Sequence, residues 1–316
     1  MAQGSKTVVV ALGGNALARP GEPATITNQF RHTRESLEPI VAFARSGWNI
    51  ALVHGNGPQV GDELLRNELA SHLAEPLPLG VLVAGTAGWI GYMIQQSLEN
   101  ALVRAGIERQ VVTLITQTLV DPADPALAEP TKRIGTTLTA EQAGRLKARQ
   151  VAVLEEKPGQ WRRLTASPVP KGLVEEPLVR RLVAEGVIVV AAGGGGPPVY
   201  RDPGGALEGL DAVVDKDRVS AILARDLGAE VLLILTEADA VYADWGKPTQ
   251  RKLPRMSLAE AEGMLGRGEL EKGSIAPKVE AAAQFVREGR GRAVIARLSE
   301  GLAALEGRAG TTLTRD

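Results

Sequence analysis

Short uncharged runs rich in β-branched residues recur along the chain, and several stop at glycine. Residues 7–12, 48–54 and 187–192 have this form, the signature of a strand covered on both faces. The first runs into Gly13-Gly14-Asn15, the second into Gly55-Asn56-Gly57-Pro58, and the third into Gly193-Gly194-Gly195-Gly196-Pro197-Pro198. Further strands are predicted over 111–115, 230–235 and 293–296. Between strands the apolar positions fall three and four apart. Phe30, Leu37, Ile40, Val41 and Ala44 predict one helix ended by Gly47, and another helix follows Pro58 through about Leu73. Val219, Ile222, Leu223 and Leu227 predict a helix starting near Lys216, and others are expected over 177–185, 258–265 and 277–287. Pro277 suits a first helical position, which places Lys278 in the first turn. Strands alternating with helices predict an α/β fold, a mostly parallel sheet with helices on both faces. Ligands of such sheets sit outside the C-terminal strand ends, where the three glycine turns fall.

Two stretches break the rhythm. Residues 76–98 carry no charge, but their apolar centre, 79–94, is shorter than the ~18–20 residues of a spanning helix. It reads as a fully buried helix, suited to a subunit interface. Ala84 and Gly88, and Ala87 and Gly91, fall four apart and let another helix approach. Residues 121–172 open on the proline-rich DPADPALAEP, pass Lys132, and hold β-like pieces at 150–154 and 161–165. They read as a small lid-like excursion between an N-terminal part, 1–120, and the remainder of the sheet, 173–316. The segment 241–248 reads as a loop with an aromatic handle.

Composition removes several functions. Net charge is −1 and aromatics are 3%, so neither a basic field nor a row of stacking platforms invites nucleic acid. Cysteine is absent, which excludes disulfides and thiol nucleophiles and suits the cytoplasm. Three histidines, His32, His54 and His72, make a histidine metal cluster a poor reading; His54 reads as a strand-end hydrogen bonder. No GxxxxGK[ST], GxGxxG or GxSxG motif is complete.

Glycine turns and isolated lysines remain. Lys132 lies in the excursion, Lys216 stands between Asp215 and Asp217 at a helix start, and Lys278 opens another helix. Phosphoryl transfer consists mostly of positioning and charge neutralisation, which ammonium groups and backbone N–H groups supply. The 193–196 run can surround an anion, and Asp217 between two lysines can hold both.

The segments ALGGNAL (11–17), HGNGPQVG (54–61), GYMIQQSL (91–98), TQTLVDPADPA (116–126), PTKRIG (130–135), GGGGPPV (193–199), VVDKD (213–217), VYADWGKP (241–248) and GSIAPKVEAA (273–282) follow one another as in a known family. In order and spacing the chain resembles carbamate kinases of the amino-acid-kinase superfamily over nearly its full length. The resemblance implies an open αβα sandwich with a protruding lid subdomain, and reversible transfer between carbamoyl phosphate plus ADP and ATP plus carbamate. It also implies Mg²⁺ carried with the nucleotide, a homodimer, a cytoplasmic setting in arginine metabolism, and no membrane or nucleic-acid partner. By motif, Gly13, Gly14 and Asn15, with Gly195 and Gly196, would meet phosphate, and Gly55, Asn56 and Gly57 the carbamate end. Lys132, Lys216 and Lys278 would stabilise the phosphoryl group, Asp217 would orient the lysines, and Thr236, Ala238 and Tyr242 would line the nucleoside pocket. The chain departs from the family at Arg133–Thr137, at Thr86-Ala87 and at Ile275-Ala276. The altered lid and Thr86-Ala87 motivate one alternative, a kinase of another small carbamate or carboxylate. An alternative of another class is a catalytically silent nucleotide-binding regulator, against which Lys132, Lys216, Asp217 and Lys278 together argue.

Overall fold

The computed structural model describes residues 6–14, 17, 22–271, 273–289 and 291–316. Its central strands are buried on both faces, which is why their sequences lack polar alternation. Val8, Val10 and Leu12 point into one core with Ile40, Phe43, Ile90 and Met93, while Val9 and Ala11 point into the other with Val219, Leu223, Val279 and Phe285. The sheet has eight strands, in the order Arg255–Ser257, Thr311–Thr314, Arg292–Arg297, Val231–Thr236, Thr7–Leu12, Asn49–His54, Ile188–Val190 and Val111–Thr113. Neighbours run parallel except Arg292–Arg297 against Thr311–Thr314. Helices cover both faces, as an α/β sandwich requires.

Several sequence expectations are corrected. The single helix over 30–44 is two, Ile26–Ser36 and Glu38–Arg45. Pro39 lacks the N–H that would continue the first helix and sits instead in the first turn of the second. The apolar helix runs farther than expected, Leu79–Arg104, and is not fully buried: Val81 and Tyr92 are about half exposed, at 49% and 56%. Among the described residues no helix is long and apolar enough to cross a membrane. Its Gly91 admits the neighbouring strand, since a Cβ there would lie 2.2 Å from Thr113 Cγ2. The expected strand at 150–154 is Val153–Lys157, with Gln150 in the left-handed region at φ 61°. Val241–Ala243 is a strand paired with Arg251–Leu253, not loop. Helix Ala276–Glu288 begins one residue earlier than expected, so Pro277 is second and Lys278 third.

Smaller sheets flank the main one. The glycine run 193–196 leads into strand Pro198–Arg201, which lies between Thr118–Leu119 and Leu207–Gly209. Lys132–Leu138, Gln160–Thr165 and Val153–Lys157 form a three-stranded antiparallel sheet, backed by helix Ala140–Ala148 with a Thr139/Gln142 capping box. This sheet touches helix Gly57–Leu69 closely: a Cβ on Gly61 would lie 1.9 Å from Gly135 Cα. Arg163 fastens the contact by an ion pair to Glu68 at 2.5 Å. On the other side Val213 N–H donates to Ala166 O at 3.0 Å.

Candidate active site

Three turns leave the sheet along one edge. Gly13 N–H donates to Leu235 O at 3.0 Å and Gly55 N–H to Leu12 O at 3.1 Å, so each extends the strand ladder by one residue. Gly14 and Gly57 face open space instead: a Cβ on Gly14 would meet only Pro58 Cδ, at 3.8 Å, and one on Gly57 nothing within 4 Å. Gly57 is the first residue of helix Gly57–Leu69, whose leading N–H groups have no partner within the helix. Asn15 lies outside the described residues.

The four-glycine turn plays a different part from the one its sequence suggests. The N–H groups of Gly195 and Gly196 are spent on Ala192 O and Gly193 O, at 2.9 and 3.0 Å, so neither offers a donor to a phosphate. These glycines are required by close packing. A Cβ on Gly193 would lie 2.5 Å from His54 Nε2, one on Gly194 2.2 Å from Asn56 Nδ2, and one on Gly195 2.4 Å from Val214 O. Thr116 Oγ1 accepts from Ala192 N–H at 2.6 Å, and Thr118 Oγ1 donates to Gly195 O at 2.6 Å. The turn thus supports His54 and Asn56 from behind. Asn56 donates to Thr86 Oγ1 at 2.9 Å, and Thr86 donates on to the Leu82 and Val83 carbonyls. His54 Nδ1–H donates to Gly55 O at 3.0 Å, while Nε2 has no partner. Burial pushes its pKa down to about 4, so the ring is neutral beside Lys216.

The lysines gather around two carboxylates. Asp215 caps helix Lys216–Asp226, with Oδ1 accepting from the N–H groups of Asp217 at 2.9 Å and Arg218 at 3.3 Å. Its Oδ2 accepts from Lys132 Nζ at 2.8 Å. Asp217 is buried and lies between the other two lysines, with Oδ1 2.5 Å from Lys216 Nζ and Oδ2 3.2 Å from Lys278 Nζ. Gly55 makes room for this arrangement, because a Cβ there would sit 3.2 Å from Lys216 Cε. Burial works to raise the Asp217 carboxyl, but the Lys216 and Lys278 charges hold it below the usual carboxylate range. Asp215 is likewise held low, against its burial, by Lys132 and Lys216. Burial, and then Lys216, push the Lys278 ammonium down. Three ammonium groups against two carboxylates, at the start of a helix, leave a net positive site for an anion.

Thr236 ends strand Val231–Thr236 beside this cluster, its Cα 3.7 Å from the Cβ position of Gly13. Ala238 follows in the connecting bend. Tyr242 lies on strand Val241–Ala243, donates to Asp239 at 3.1 Å, and packs on Trp245 with ring centroids 5.3 Å apart. Sequence reading missed Thr86 as the partner of Asn56, and Asp215 as the partner of Lys132. A polar residue inside an uncharged helix was the signal for the first; the Asp215 cap position was the signal for the second.

The amino acid kinase family model matches residues 6–297. This chain belongs to that family. It is 41% identical to the carbamate kinase of Pyrococcus horikoshii over 97% of this chain and 98% of the relative. It is also 41% identical to the carbamate kinase-like protein YahI of Escherichia coli, over 98% of each. Among solved structures, the carbamate kinase of Giardia lamblia bound to AMP-PNP superposes with a TM-score of 0.91 at 35% identity, covering 99% of both chains.

Proposed function

We propose that this member of the family is a carbamate kinase, passing a phosphoryl group between carbamoyl phosphate and ADP to give ATP and carbamate. The observation that carries this reading is Asp217 holding Lys216 and Lys278 together beside the Gly55 turn. Full-length likeness to carbamate kinases supports it. In this reading Gly13 and Gly14 flank the phosphates, Gly55, Asn56 and Gly57 receive the carbamate end, and Thr236, Ala238 and Tyr242 border the nucleoside. Lys216 and Lys278 neutralise charge on the transferred group and on the oxygen it leaves, while Asp217 keeps both ammoniums in place between turnovers. Neutral His54 adds no competing charge and holds the Gly55 carbonyl away from the substrate.

Both cluster carboxylates are engaged by lysines, and among the described residues no group of three acidic or histidine side chains could hold a metal. That donor set fits Mg²⁺ arriving on the nucleotide, where it supplies further neutralisation of phosphate charge. Residues 121–172 act as a lid over the cleft. Two copies pair across the exposed face of helix Leu79–Arg104, covering Val81 and Tyr92, and the enzyme works in the cytoplasm in arginine metabolism.

The test is ATP formation from carbamoyl phosphate, ADP and Mg²⁺. Lys216→Ala should lower the rate by about 100-fold or more. A folded, ADP-binding protein that makes ATP only from another acyl phosphate would sink the substrate assignment. One that makes none from any acyl phosphate would favour a silent regulator.

A further inference from the structure

Resting on that reading, we propose that Asp215 is a positioning residue for the lid lysine, one carboxylate that ties Lys132 to the helix bearing Lys216 and Asp217. Its two oxygens do separate work. Oδ1 takes the Asp217 and Arg218 N–H groups and so fixes the start of helix Lys216–Asp226. Oδ2 takes the Lys132 ammonium at 2.8 Å, with both side chains about three-quarters covered. Lys132 opens strand Lys132–Leu138 and pairs in register with Thr165. One residue on, Ala166 O accepts from Val213 N–H, two positions before Asp215. The base of the three-stranded sheet therefore joins the phosphate cluster at two adjacent points, one backbone and one charged.

The physical need is clear from lysine itself, a point charge on a flexible four-carbon stem. Without a partner Lys132 would sample many rotamers across a cleft of about 440 Å³ that Arg133, Arg218 and Glu280 also line. Asp215 removes that freedom before substrate arrives. An ammonium has three donors, so Lys132 keeps Asp215 while offering two N–H groups to an incoming phosphoryl oxygen. The lid is thereby set by the same residue that orients the helix below it.

Asp215→Asn separates the two roles, because asparagine caps a helix as well as aspartate does while the charge on Oδ2 is lost. Two measurements decide the matter. In hydrogen exchange without ligand, residues 132–138 should exchange faster in Asp215→Asn, while 216–226 stay as in the wild type. In ATP formation, Asp215→Asn should lower kcat by about tenfold, and this loss should disappear in a Lys132→Ala background. Unchanged exchange at 132–138, or losses that simply add in the double variant, would overturn the proposal. A wild type that makes no ATP would remove the kinase reading alone, and the exchange comparison would still decide whether Asp215 holds Lys132.

Discussion

Acidification tests the burial of His54. The ring is wholly inaccessible and its Nδ1–H is committed to the Gly55 carbonyl, and burial outweighs the support that the Gly55 and Ala87 backbones give to a protonated ring. Burial, reinforced by the nearby Lys216 charge, brings its pKa from 6.5 to about 4. Because the folded value lies below the unfolded one, the unfolded chain takes up the proton first. The stability linked to a neutral His54 is therefore complete above about pH 6.5, falls as pH drops, and is gone by about pH 4. At about 1.4 kcal/mol per unit, that window is worth about 3 kcal/mol. Urea unfolding from pH 7 to pH 4 should show the wild type losing about 3 kcal/mol more than His54→Asn. The remaining titrating groups are common to both proteins and cancel in the difference. Asp215 and Asp217, held below the usual range, titrate in more acid solution. Parallel curves for the two proteins would refute the reasoning, since they would mean that the ring takes up its proton equally well folded and unfolded.

Three further substitutions probe the packing around the cluster. Gly55→Ala places a methyl 3.2 Å from Lys216 Cε, so kcat should fall about tenfold with little change in melting temperature; an unchanged kcat would deny Gly55 its spacing role. Asp217→Asn leaves two largely covered ammoniums without their shared carboxylate, and unfolding at pH 7 should show a loss of about 3 kcal/mol. Saturating ATP should restore part of that loss, whereas a variant as stable as the wild type would show that the pair is not electrostatically coupled. Gly61→Ala drives a methyl into the Gly135 backbone, which no rotamer change relieves. It should destabilise by about 2 kcal/mol and speed proteolysis within 132–165, and normal protease resistance there would count against the contact.

The fold was legible because the strands are unusually plain. Val8 to Leu12, Ile50 to Val53 and Val231 to Leu235 are buried on both faces, and a sequence with no polar interruption says so directly. The lysine cluster was legible for a related reason: Lys216 and Asp217 are adjacent, and a helix start fixes where both point. What stayed hidden depended on neighbours distant in sequence. The glycines of 193–196 read as an anion cradle, yet it is His54, Asn56 and Val214, each from another part of the chain, that forbid a Cβ there. Lys132 meets its partner 83 residues away, a pairing no local pattern encodes. Pro39 interrupts a helix whose apolar spacing continues past it, so the spacing alone hides the break. The antiparallel strands of 132–165 are half exposed and carry arginines and glutamates, so alternation there is weak and their boundaries shift.

The meeting of Gly61 with Gly135 has a mechanical consequence. Helix and strand touch there as two bare backbones, neither glycine having a side chain to hold them apart. Beside that contact Ile134 is buried against Val60 and Leu64 of the helix, and the Arg163–Glu68 pair and the bond from Arg162 to the Gly135 carbonyl fasten its flank. The contact behaves as a keyed joint: the bare backbones set the depth of approach, and the strand cannot turn on the helix without lifting Ile134 out of its cluster. Helix Gly57–Leu69 carries that joint at one point and the Gly55-Asn56-Gly57 turn at its leading end. Torque applied to the outer sheet is thus delivered to the turn by a rigid shaft only a few residues long.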